Sequence, residues 1–81
     1  MSDKITKFLQ KLSRKEREKV LAAFTLVYTG DLSSLDVKSL TGKRDYFRIR
    51  VGRIRIIVER IDGIYEVVAV LNRDERTYKN L

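Results

Sequence analysis

Apolar residues recur at helical spacing early in the chain and at every second position later. Ile5, Phe8, Leu9 and Leu12 fall on one side of a helix, with Lys4, Lys7 and Lys11 on the other. Asp3 suits its N-cap. Ser13-Arg14-Lys15-Glu16 has the spacing of a capping box, in which the serine oxygen accepts from the Glu16 amide and Glu16 reaches back. A second helix is therefore expected from Arg14. Its apolar stripe is Arg17 (through its stem), Val20, Leu21, Phe24, Val27 and Tyr28, and Gly30 is its left-handed stop. So short a break between the two predicts a helical hairpin or a bent pair.

Residues 31–45 carry Leu32, Leu35, Leu40 and Gly42 among small polar residues, with no clear period. A packed connector of this length is a candidate functional loop. Beyond it the pattern alternates. Phe47, Ile49 and Val51 interleave with Tyr46, Arg48 and Arg50; Ile54, Ile56 and Val58 follow a Gly52-Arg53 turn; Ile64 to Leu71 follow Asp62-Gly63, the strongest hairpin signal in the chain. The expected fold is α+β: an N-terminal helical hairpin on one face of a small, three- to four-stranded antiparallel sheet, with residues 1–81 forming a single domain.

Turn lengths fix the register. A two-residue loop at Asp62-Gly63 pairs Ile61 with Ile64, Val58 with Val67, Ile56 with Ala69 and Arg55 with Val70. A two-residue loop at Gly52-Arg53 pairs Val51 with Ile54, Ile49 with Ile56 and Arg50 with Arg55. One face then collects Phe47, Ile49, Val51, Ile54, Ile56, Val58, Val67, Ala69 and Leu71 for the helices to cover. The other collects Arg48, Arg50 and Arg55 beside Ile57, Val68 and Val70.

Composition narrows the chemistry. The 81 residues include no cysteine and no histidine. That removes disulfide scaffolds, thiolate metal sites, cysteine nucleophiles and the commonest acid–base side chain. Neither a metal nor a cofactor is expected. No run of about 18 apolar residues is present, and the first twenty residues are dotted with Lys and Arg, so neither a membrane span nor a signal peptide is expected. A cytoplasmic location follows as the expectation. Eighteen Lys and Arg against 11 Asp and Glu give a net charge of +7, which points to an anionic partner.

Arginine stems do cover exposed sheet. Like charges directly opposed across strands are nonetheless destabilising, and a sheet selected for stability alone would place an acid opposite Arg50. Arginine is also shaped to grip phosphate bidentately. Anion binding therefore outweighs a plain solvated face. Residues 1–28 add seven basic side chains against three acids, ordinary solubilising charge that can also track a nucleic-acid backbone. In the tail, Arg73 and Tyr78 can complete an anion site, with Tyr78 as stacking platform or proton carrier.

The stretch Asp45-Tyr-Phe-Arg-Ile-Arg-Val-Gly-Arg-Ile-Arg-Ile-Ile-Val-Glu59 resembles the second and third strands of the RelE/ParE toxin superfamily. Leu40-Thr41-Gly42 matches its upstream L-x-G, and Leu9 to Tyr28 is similar to its two helices. The resemblance spans nearly the whole chain and is closest to the RelE-type mRNA interferases. It implies a toxin of a type II toxin–antitoxin system that cleaves mRNA in the ribosomal A site and so inhibits translation. The reaction would be attack of a ribose 2′-hydroxyl on the adjacent phosphate, with cations neutralising the developing charge. The catalytic positions it implies are Arg48, Arg50, Arg55, Arg73 and Tyr78, with Arg76 as the shifted alternative to Arg73. Lys43, Arg44, Arg53 and Arg76 are expected to bind RNA. The implied partners are a RelB-like antitoxin, in an assembly such as a heterotetramer, and mRNA on the ribosome.

Two departures stand out. The family's opening β-strand has no counterpart before the first helix, so an edge strand is expected to be missing. Arg48 and Arg50 stand where the best-understood branch has lysines, and arginine is a poor general base. Two other functions fit the same superfamily: a ParE-like DNA gyrase inhibitor, and a weakened, non-catalytic member acting as antitoxin partner and corepressor.

Overall fold

The second helix forms where its caps dictate. A computed structural model describes residues 3–40, 42 and 45–72. In it α1 spans Asp3–Gln10 and α2 spans Arg14–Thr29. Asp3 is thus the first helical residue of α1. Ser13 is the N-cap of α2, its hydroxyl oxygen accepting the Glu16 N–H at 3.2 Å. Gly30 ends α2 at φ 80, where an L side chain is strained, and its N–H returns to Val27 while that of Asp31 returns to Leu26.

Arg17 joins the two helices by more than its stem. Its Nε donates to the Leu9 carbonyl at 3.0 Å and an Nη donates to that of Leu12 at 3.1 Å. Leu9 is in the last turn of α1 and Leu12 in the link that follows it, so the guanidinium ties that end to α2, and its positive charge opposes the negative end of the helix dipole. The apolar stripe of α2 is narrower than its spacing predicts. Val20, Ala23, Phe24 and Val27 are buried, whereas Leu21 and Tyr28 are exposed. The Tyr28 hydroxyl instead accepts the backbone N–H of Val67 at 3.3 Å.

The sheet is a four-stranded antiparallel meander in the order β1-β2-β3-β4. Its strands are β1 Asp36–Ser39, β2 Tyr46–Val51, β3 Ile54–Ile61 and β4 Ile64–Asn72. The connector thus supplies the edge strand β1, with Val37 opposite Ile49 and Lys38 opposite Arg48. Asp62 and Gly63 take φ 51 and 79, the two left-handed residues that a tight β3–β4 hairpin demands. At the far end of β2, Asp45 accepts the Arg60 backbone N–H at 2.7 Å and its guanidinium at 2.8 Å. That guanidinium lies 5.4 Å from the Phe47 ring centroid, and Tyr65 meets Phe47 edge-on. Arg60 is thereby held on the helix side.

The core forms between the helices and one sheet face. Ile5, Leu9, Leu12, Val20, Phe24 and Val27 pack with Ile49, Ile54, Ile56, Val58, Val67 and Val70. The β2–β3 register is the expected one throughout. The β3–β4 register is not. A bulge between Ile57 and Val58 shifts the pairing by one, so Ile56 faces Val70, Ile57 faces Ala69 and Arg55 faces Leu71. Val70 therefore joins the core, and Ala69 and Leu71 move to the open face, the reverse of the turn-length assignment. Among the described residues no helix is long and apolar enough to cross a membrane.

Candidate nucleic-acid interface

The sheet face away from the helices is ordered in rows across the strands. The first row runs Asp36, Arg50, Arg55, Leu71; the second Lys38, Arg48, Ile57, Ala69; the third Tyr46, Glu59, Glu66. Strand alternation puts every member of a row on the same side. Like charge stands opposite like charge in three adjacent cross-strand pairs: Lys38 with Arg48, Arg50 with Arg55, and Glu59 with Glu66. The face is cationic at one end and acidic at the other.

Asp36 is 3.8 Å from the Arg50 Nε, and both side chains are about half exposed. Arg48 has no ion pair among the described residues, and its Nε is buried with no hydrogen-bond partner. Beneath these cations, Ile57 is 0% exposed although it lies outside the helix-side core. It sits between Arg48 and Ala69, with Arg55 two residues before it, so it shares an apolar floor with the arginine stems. An anion bound here would meet donors backed by a low-dielectric floor, where charge interactions strengthen.

The acidic end has its own order. Tyr46 faces Glu59, and its hydroxyl interacts with that carboxylate. Burial first, and the adjacent Glu59 charge second, push the phenol above its ordinary range. Tyr46 therefore keeps its hydroxyl proton at neutral pH.

Of the residues singled out by sequence, Arg48, Arg50 and Arg55 come together on this face. Arg53 lies at the β2–β3 turn and is committed elsewhere. Its Nε and one Nη donate to the two Glu16 carboxylate oxygens, at 2.5 and 3.0 Å. Arg53, then the Ser13 N–H and hydroxyl, hold the Glu16 carboxyl down at about 2. Lys43, Arg44, Arg73, Arg76 and Tyr78 lie outside the described residues. Lys38, Tyr46, Glu59 and Glu66 join the face without having been singled out. The last three were within reach of the same turn arithmetic that paired Arg50 with Arg55. Lys38 was not, because no turn links β1 to a predicted strand. No group of acidic side chains among the described residues is arranged to hold a metal ion.

No protein-family model and no curated protein matches the sequence. Among solved structures, the chain is similar to one in the crystal structure of the RelB-RelE antitoxin-toxin complex from Methanococcus jannaschii. The TM-score is 0.73 at 27% identity, covering 89% of this chain and 87% of that chain. The two-helix, four-strand antiparallel α+β architecture is common to both, a likeness to the toxin–antitoxin fold family.

Proposed function

We propose that this chain is the toxin of a toxin–antitoxin pair and cleaves mRNA on the ribosome, as a RelE-like endoribonuclease. The observation that carries the proposal is the pairing of Lys38 with Arg48 and of Arg50 with Arg55 on a face that the helices leave open. Such pairs cost stability and are offset when a phosphodiester bridges them. The likeness to a chain of an antitoxin–toxin complex supports the same assignment. The toxin half is favoured over the antitoxin half because the chain buries a core of its own and concentrates cations on one face.

In the proposed reaction, Arg48 and Arg50 hold the phosphate and Arg55 neutralises the charge that develops as the 2′-oxygen attacks. Arg73 and Tyr78 complete the site, with Arg76 as the alternative to Arg73, and Lys43 and Arg44 guide the flanking backbone, while Arg53 stays on Glu16. The partner is a RelB-like antitoxin whose acidic side chains meet the arginines, and the place of action is the cytoplasm, where ribosomes are. Alanine at Arg55 tests the site: cleavage should be lost while circular dichroism stays unchanged. Undiminished cleavage by a folded Arg55→Ala protein would refute the site assignment.

A further inference from the structure

Attack by a ribose 2′-hydroxyl requires a group to take its proton. Histidine is missing from the chain, and Arg and Lys are protonated at neutral pH. On the described part of the open face the proton acceptors are Asp36, Glu59 and Glu66, since Tyr46 is held in its protonated form. Asp36 is drawn to Arg50 at the β1 edge. Glu66 lies on the outermost strand, one strand further from the arginines. Glu59 lies on β3 itself, two residues beyond Ile57, the direct partner of Arg48.

Glu59 and Arg48 are therefore diagonal neighbours, with Cα atoms about 7–8 Å apart. No ion pair joins them. A gap of that size suits a ribose set between a phosphate on the guanidinium and an acceptor on the carboxylate. Among the described residues, the groups facing Glu59 are Tyr46 from β2, Glu66 from β4 and Arg48 on the diagonal, while the helices cover the opposite face. Tyr46 stands directly opposite Glu59, where its hydroxyl can donate to that carboxylate.

We propose that Glu59 is the general base of the cleavage step and Tyr46 its positioning residue. The inference rests on the phosphate-cleaving function proposed above. The 2′-hydroxyl proton passes to a Glu59 oxygen as the 2′-oxygen–phosphorus bond forms. The bond from phosphorus to the 5′-oxygen breaks, and that oxygen takes a proton from water. The hydroxide so formed recovers the proton from Glu59. The products are a 2′,3′-cyclic phosphate and a 5′-hydroxyl.

The test is the cleavage rate on saturating ribosome-held mRNA from pH 6 to 9, for wild type, Glu59→Gln, Tyr46→Phe and Glu66→Gln. Glu59→Gln should lower kcat by roughly 10²–10⁴ with KM unchanged. Its residual rate should climb with pH, by about tenfold per unit as hydroxide replaces the base, while wild type stays flat. Tyr46→Phe should lower kcat with a flat profile, and Glu66→Gln should match wild type. A Glu59→Gln protein with wild-type kcat, or one slowed but flat with pH, overturns the assignment of Glu59 alone. If that variant does not fold, Glu59→Asp carries the test: a reduced kcat with a flat profile supports the base, and an unchanged kcat overturns it. Wild-type protein that cuts nothing overturns the nuclease function and the base with it.

Discussion

Arg50 and Arg55 stand directly opposite each other across β2 and β3, and Lys38 stands opposite Arg48 in the next row. Stability alone would alternate the signs. Replacing Lys38 by Glu converts one repulsive pair into an attractive one. Lys38→Glu should gain a few tenths to about 1 kcal/mol in urea denaturation and lose affinity for single-stranded RNA. A variant that is both less stable and equally tight would contradict a binding role for the row.

Phosphate contacts make affinity depend on salt. For single strands, the logarithm of the affinity falls by about 0.7 per neutralised phosphate for each decade of salt. Arg48 has no ion-pair partner among the described residues, so its loss breaks no salt bridge and should show cleanly. Arg48→Ala should lower RNA affinity and reduce the slope by about 0.7, measured by fluorescence anisotropy between 50 and 300 mM salt. Lys4 on α1, away from the sheet face, should leave the slope unchanged when replaced by Ala.

Acid should loosen the tie between α2 and the β2–β3 turn. Glu16 is held down at about 2 against an ordinary 4.5, chiefly by Arg53. A carboxyl with a depressed folded pKa contributes stability that is complete above its unfolded value and is lost as pH falls through the folded one. The contribution is thus present above about pH 4.5 and disappears toward pH 2. Denaturation midpoints for wild type and Glu16→Gln should diverge at neutral pH and converge across that window.

Arg17 tests the helical hairpin apart from the open face. Arg17→Met keeps most of the stem and removes the donors to the Leu9 and Leu12 carbonyls. A loss of about 1–2 kcal/mol is expected in urea denaturation. Cleavage per folded molecule should not change, because Arg17 is remote from the arginine rows.

Much of this architecture was legible in the sequence, for identifiable reasons. Ser13, Gly30 and Asp62-Gly63 act through local chemistry, so α2 and the β3–β4 hairpin begin and end where they should. The Gly52-Arg53 turn likewise fixed Arg50 opposite Arg55. The bulge after Val67 was hidden because Val67, Val68, Ala69, Val70 and Leu71 are all apolar. A one-residue slip there still gives both faces an apolar residue, so the pattern carries no register signal. Strand β1 was hidden because Asp36-Val37-Lys38-Ser39 has one apolar side chain and pairs only through tertiary packing. With it went Lys38, the cation that completes the second row.

The most direct test of the central claim is primer extension on mRNA held on ribosomes, run beside the same mRNA free in solution. Purified protein should cut within the A-site codon on ribosomes and leave free mRNA intact, and Arg55→Ala should abolish the cuts. Folded wild-type protein that leaves ribosome-held mRNA intact would contradict the nuclease assignment.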